Sequence, residues 1–202
     1  MNLSEPTWLV LDHFGILLGD ILMTLTVVGG IIGFIKRNDL RSWLTRNRFP
    51  SIGGNPEHTR WQGLVFTVSR IEVPLWVIEQ VQPSGIGLLV TVTSRAEGEK
   101  IRQRAQQSGI SVSMETLNDP DDPAEAKRKT QDLLRCLQEQ GLNEIAVDIT
   151  GGKTPMSLGA FMAAEESGSD SIYVTTAYKD TKPDMTTAQI KAISQVLRPA
   201  KI

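Results

Sequence analysis

From about position 60 onward, apolar residues follow two alternating rhythms. LVFTV (64–68), GLLVTVTS (87–94), ISVSMETL (110–117), EIAVDIT (144–150) and SIYVTTAY (171–178) are short apolar or alternating runs of strand length. Between them lie polar stretches with helical spacing: Pro74 to Gln82, about Ala96 to Ser108, Ala124 to Gln140 closed by Gly141, and Pro155 to about Glu166. A last helix is predicted from about Thr186 to Leu197, on the spacing of Ile190, Ile193 and Leu197. Strands alternating with helices predict βαβ units and an α/β fold with a mainly parallel, doubly wound sheet. Ligands in such folds gather beyond the carboxyl ends of the strands. The loops there are Ser69–Val73, Ser94–Glu97, Thr150–Thr154 and Tyr178–Lys182.

The N-terminal pattern is different. Residues 14–35, FGILLGDILMTLTVVGGIIGFI, carry one charge, Asp20. As a helix this run is about 33 Å long, which predicts a single transmembrane helix. Residues 1–12 hold Glu5 and Asp12 but no Lys or Arg, whereas Lys36, Arg37, Arg41, Arg46 and Arg48 follow the run. The positive-inside tendency then leaves a short N-terminus (1–13) outside and the rest in the cytoplasm, so a single pass through the inner (cytoplasmic) membrane is expected. Gly15–Gly19 and Gly29–Gly33 have the spacing that lets membrane helices approach closely. Asp20 has two readings: a carboxylate near the headgroups, or one turned into the centre of an oligomer with Thr24 a turn below. The basic segment beyond the helix, with Trp43, Leu44 and Phe49, reads either as an interfacial element on anionic lipid or as a solvated linker. PSIGGNPEH (50–58) has the composition of a break. The expected partition is therefore 1–13, 14–35, a basic juxtamembrane linker at 36–58 and a sensor-sized domain at 59–202.

Charge and composition narrow the chemistry. A net charge of −2 gives no electrostatic footprint for DNA, so no DNA partner is expected. The single cysteine, Cys136, allows no intrachain disulfide. Two distant histidines and one cysteine have no metal-site spacing, so no metal and no cofactor are expected.

The most chemical stretch is DITGGKTPM (148–156). GGKT resembles the end of a triphosphate-binding loop, but that loop needs a glycine at 147, where Val147 stands inside a predicted strand. What remains is anion-binding physics. Gly151 and Gly152 can aim consecutive N–H groups at one point, with Thr154 as N-cap and Pro155 opening a helix. Thr150 adds a hydroxyl and Lys153 a mobile charge.

The pattern D-x-[ST]-G-G-x-x-x-M after a central strand resembles the signature of CARF domains, the CRISPR-associated Rossmann-like sensors. Asp148, Thr150, Gly151, Gly152 and Met156 match it, and Lys153 and Thr154 stand in the reverse of a common order. Ser69 and Arg70, after LVFTV, resemble the family's other contacting loop, and Ser94 ends the second strand-like run. The resemblance covers about residues 62–180. It implies a cyclic oligoadenylate, cyclic tetra-adenylate by the closest arrangement, bound across a dimer of sensor domains within a homo-oligomer. Neither His13 nor His58 has the upstream Arg of the family's HEPN ribonucleases. With the predicted membrane helix, the arrangement is similar to the CRISPR-associated membrane effectors, which implies antiviral defence by membrane depolarisation and no catalytic residues. A membrane-tethered ring nuclease that cuts the ligand is the alternative.

Overall fold

The computed structural model describes residues 5–35, 51–52, 61–180 and 182–195, with side chains for 13–28 and from 61 onward. The chain divides into two compact units, Met1–Asn47 and Arg48–Ile202, each taken by itself below.

The first unit contains α1 (Glu5–Ile35), a helix of 31 residues that begins before the predicted apolar run. The expected transmembrane segment is not upheld, because among the described residues no helix is long and apolar enough to cross a membrane. The helical stretch with described side chains runs from His13 to Val28. Within it Asp20 is exposed, and a carboxylate inside an apolar span is costly in lipid. The lipid partner, the single-pass membrane location, the depolarising membrane effector and the tethered ring nuclease all rested on that span and are withdrawn with it. So are the pore roles of Asp20, Thr24, Gly29 and Gly33. Thr24 donates its hydroxyl to the Asp20 carbonyl, 2.7 Å away, which is ordinary i−4 back-bonding on an exposed helix. A side chain at Gly15 or Gly19 would meet nothing within 4 Å. Gly29 and Gly33 lie where the backbone alone is described, and the basic segment 36–49 lies outside the described residues.

The second unit is a seven-stranded sheet between two helical layers. Its elements are β1 (Ser51–Ile52), β2 (Gly63–Thr67), α2 (Glu72–Val81), β3 (Gly85–Thr91), α3 (Arg95–Gln107), β4 (Ser111–Leu117), α4 (Pro123–Glu139), β5 (Ile145–Asp148), α5 (Thr154–Ser167), β6 (Asp170–Lys179) and β7 (Lys182–Gln195). The strand order is β1-β7-β6-β5-β2-β3-β4. β6, β5, β2, β3 and β4 run parallel, whereas β7 pairs antiparallel with both β6 and β1, so the sheet is mixed.

Residue alternation builds the two faces. Leu64, Phe66, Ile86, Leu88, Val90 and Ala146 point to the side covered by α2 and α3, where Val77, Ile78 and Ile101 meet them. Val65, Leu89, Ile145 and Val147 point to the side of α4 and α5, against Leu133, Leu137 and Ala160. Central strands buried on both faces read as continuous apolar runs, which is why β2, β3 and β5 stood out in the sequence.

The predicted helix at 186–197 is a strand instead: β7 extends from Lys182 to Gln195. The isoleucines fit helical spacing, but Ala192 and Ser194 are buried while their neighbours are less so, a period of two. Thr186 and Thr187 favour extended backbone, and pairing with β6 over most of its length decides the outcome.

Helices α4 and α5 cross closely at Gly159. A side chain there would press on the Pro123 carbonyl, and its Cβ would come within 2.7 Å of the Ala126 methyl. Lys127 and Gln131 of α4 bridge to Glu166 of α5 at 2.6 and 2.9 Å. Gly159→Val should therefore separate the helices and cost about 1–3 kcal/mol, read as a lowered urea midpoint with an unchanged slope.

Candidate functional site

The parallel strands wind in one direction through β2, β3 and β4, then resume on the other side of β2 with β5. The switch point is therefore between β2 and β5, and the loops leaving their carboxyl ends part there to open a crevice. These are the Ser69–Arg70 and Thr150–Thr154 loops, so the topology brings together the two stretches singled out in the sequence.

The glycine loop is fixed from below. Gly151 packs against the Thr67 carbonyl at the end of β2 so tightly that a Cβ would overlap it. The Gly151 carbonyl accepts from Thr67 Oγ1 and from Ser157 Oγ, both at 2.7 Å. Gly152 has φ +81, and a Cβ there would lie 2.6 Å from the Met156 sulfur. The spacing between the glycines and Met156 thus has a packing cause: the fully buried thioether fills the space beneath the turn. Asp148 accepts from the N–H of Thr150 at 2.9 Å and from its hydroxyl in a short hydrogen bond. The same hydroxyl accepts from the N–H of Val174 on β6 at 2.7 Å, tying the loop to a third strand.

With the Gly151 carbonyl held by Thr67 and Ser157, the N–H of the same peptide, that of Gly152, is turned the opposite way. Among the described residues, the N–H groups of Gly151, Gly152 and Lys153 form no hydrogen bond. Helix α5 begins beside them, and its partial positive end adds to the same region. The expected cap is shifted by one residue: Lys153 occupies the N-cap position without a side-chain cap bond, and Thr154 is the first helical residue.

Two cavities flank the loop. One, of 290 Å³, is lined by Val68, Ser69, Thr91, Thr93, Ser94, Pro120, Gly152 and Lys153. The other, of 140 Å³, is lined by Thr67, Ser69, Arg70, Val73, Pro74, Asp148, Thr150, Gly151, Tyr178 and Pro183. Ser69 borders both. Of the anticipated residues, Ser69, Ser94, Gly152 and Lys153 meet in the first cavity, and Ser69, Arg70, Asp148, Thr150 and Gly151 meet in the second. Met156 is buried beneath the loop and Thr154 is exposed at the helix start. Ser94 is largely buried and exchanges hydrogen bonds with Thr91, so it shapes its turn.

Several neighbours escaped the sequence reading. Lys153 Nζ lies 2.8 Å from Asp121 Oδ2 on the turn after β4. That turn is held by buried Glu125, which accepts from the N–H groups of Asp119 (3.0 Å) and Asn118 (3.2 Å) and from the Asn118 amide (2.9 Å). The Asp119 N–H, ahead of the opposing effect of burial, keeps the Glu125 carboxyl below its ordinary range. Thr67 is another addition, and Tyr178 opens the Tyr178–Lys182 loop already expected at the carboxyl ends of the strands. An acidic residue in an N-D-P-D-D-P turn carries no sequence mark of the lysine it will meet.

Burial raises the Asp148 carboxyl to about 6, although the Thr150 hydroxyl and N–H pull the other way. An acid whose pKa rises on folding stabilises the fold most when protonated. Its contribution is full below about pH 4 and is lost as pH rises through about 6. Asp148→Asn should remove that dependence, so the difference in urea midpoint between mutant and parent should shift in the mutant's favour from pH 4 to pH 6.5. A constant difference across that range would contradict it.

No curated protein matches the chain significantly. Among solved structures, Can2 from Sulfobacillus thermosulfidooxidans in complex with cyclic tetra-adenylate is 20% identical over 56% of this chain and 32% of its own, with a TM-score of 0.48. A type III CRISPR defence DNA nuclease activated by cyclic oligoadenylate is 19% identical over 65% of this chain and 21% of its own, at 0.48. Enterococcus italicus Csm6 bound to cyclic hexa-2′-fluoro-hexa-dAMP is 17% identical over 60% and 36%, at 0.46. The chain thus spans about a third or less of the length of these structures. The family described as the Card1 CARF domain matches residues 67–198, which takes in every strand from the end of β2 through β7 and both loops of the crevice. The chain belongs to the Card1 CARF domain family.

Proposed function

We propose that the crevice between β2 and β5 binds a cyclic oligoadenylate and that the domain acts as a sensor for it. The observation that carries this reading is the Gly151–Lys153 loop at the switch point, whose N–H groups form no hydrogen bond among the described residues, with a helix N-terminus and the Lys153 ammonium beside it. The resemblance to CARF sensors suggests the ligand class, and membership of the Card1 CARF domain family agrees with it.

A short nest of N–H groups suits one singly charged phosphodiester better than a triphosphate, which needs a longer loop to wrap it. A ring repeats that unit, so two copies of the loop brought together by a homodimer match it, each holding part of the ring. The sensor domain is taken to reach from 59 to 202. No general base is assigned, and the proposed role is binding without cleavage.

Titration calorimetry of the full chain with cyclic tetra-adenylate, cyclic hexa-adenylate and linear tetra-adenylate tests the reading. Saturable binding of one cyclic ligand at one ring per two chains, in preference to the linear form, is expected. Equal or absent binding of all three would sink it. Labelled ligand recovered intact after incubation is the expected result for a sensor, and a cut ring would show catalysis.

The Lys153–Asp121 pair gives a sharper prediction with opposite signs. Both side chains are exposed, so the pair contributes little to stability. Lys153→Ala should weaken binding by about 10- to 100-fold through loss of a charge-assisted hydrogen bond. Asp121→Asn should tighten it by about 2- to 5-fold by removing the competing carboxylate.

A further inference from the structure

The β6–β7 hairpin projects from the sheet. Pairing of β6 with β5 covers Asp170 to Ile172, whereas its pairing with β7 continues to Lys179 opposite Lys182. At about 3.3 Å per residue, the ribbon extends on the order of 20 Å past the last residue of β5. The ladder is irregular between Thr175 and Ala177, and such a bulge re-aims a strand. Asp180 turns the chain at φ +48.

The result is that Tyr178 and Pro183, paired across the hairpin, border the 140 Å³ cavity together with Thr67, Thr150 and Gly151. Tyr178 is 71% exposed, so packing in the core does not account for it. The two cavities also differ in chemistry. The Lys153 side is lined by hydroxyls and an ammonium, whereas the Tyr178 side adds an aromatic ring and two prolines to the Arg70 guanidinium, the Asp148 carboxyl and the hydroxyls of Thr67, Ser69 and Thr150. Gly151 and Gly152 stand between them, one bordering each cavity.

We propose that Tyr178 is a base-stacking residue: with one phosphodiester on the Gly151–Lys153 edge, the adjoining purine lies against the Tyr178 ring in the smaller cavity. This rests on the crevice being a cyclic oligoadenylate site. Every base has a π-face, so the ring supplies affinity and places the ligand, and it does not itself choose the base. The hairpin is suited to this task because its root at Val174 is bonded to Thr150 of the glycine loop, which keeps ring and nest in register.

The test uses the full chain and cyclic tetra-adenylate with one adenine replaced by 2-aminopurine, whose fluorescence is quenched by stacking. Wild type and Tyr178→Phe should bind with equal affinity and quench the probe. Tyr178→Ala should bind on the order of 10- to 100-fold more weakly and leave the bound probe bright. Unchanged thermal unfolding of Tyr178→Ala shows that the loss is local. Equal binding and quenching by Tyr178→Ala would overturn the stacking role while leaving the ligand assignment intact. A loss in Tyr178→Phe as large as in Tyr178→Ala would also overturn it, because the hydroxyl rather than the ring would then make the contact. Failure of the wild type to bind any cyclic adenylate overturns the ligand assignment, and this inference with it.

Discussion

The contact between Gly151 and the carbonyl oxygen of Thr67 leaves no room for a side chain between two neighbouring strands. Everything at the crevice depends on that approach. It lets the Thr67 hydroxyl reach the Gly151 carbonyl, which Ser157 also holds, and so turns the Gly152 N–H of the same peptide the other way. An alanine at this position would force β2 and the β5 loop apart, and the N–H edge would lose its aim. Gly152 serves a second need, a positive φ over the sulfur of Met156. Two adjacent glycines are thus required for different reasons, one for space and one for backbone conformation.

The loop is also connected sideways. Asp148 holds Thr150, and Thr150 accepts from Val174, so the end of β5 and the root of the β6–β7 hairpin share one hydroxyl. A ligand that shifts Thr150 acts on both. The buried carboxylate at the start of this chain has a raised pKa because burial disfavours its charge, and the Thr150 donors partly offset that. Motif residues that looked like ligand contacts therefore divide in two. Asp148 and Met156 build the loop from beneath, while Ser69, Gly152 and Lys153 border open space.

Strands β2 to β6 and helices α2 to α5 were legible in the sequence because their apolar periods are set by burial on two faces. The glycine loop was legible because its residue types are chemically restrictive. β7 was not, since Ile190 and Ile193 satisfy a helix as well as a strand, and the choice is made by β6. Thr154 looked like a cap by type, yet the helix begins one residue earlier than that role requires. The apolar run at 14–35 is helical, but hydropathy alone extended it to a membrane span that the described residues do not support. Asp121 and Tyr178 lie 32 and 25 residues from Lys153 along the chain and reach the crevice through the turn after β4 and through a bulged hairpin. No local pattern announces the meeting with Asp121, whereas the loop that begins at Tyr178 was expected at the carboxyl ends of the strands.

The Lys153–Asp121 pair has one more consequence. An empty basic site in water is surrounded by mobile salt anions, and a ligand that expels them binds more weakly as salt rises. Here the counterion is covalently part of the chain, on a turn fixed by Glu125. On the proposed function, a phosphodiester arriving at Lys153 would exchange one carboxylate for itself and release no ion from that lysine. The released carboxylate stays nearby and repels the newcomer. The crevice thereby carries its own background electrolyte, which blunts its response to the salt around it and disfavours stray small anions.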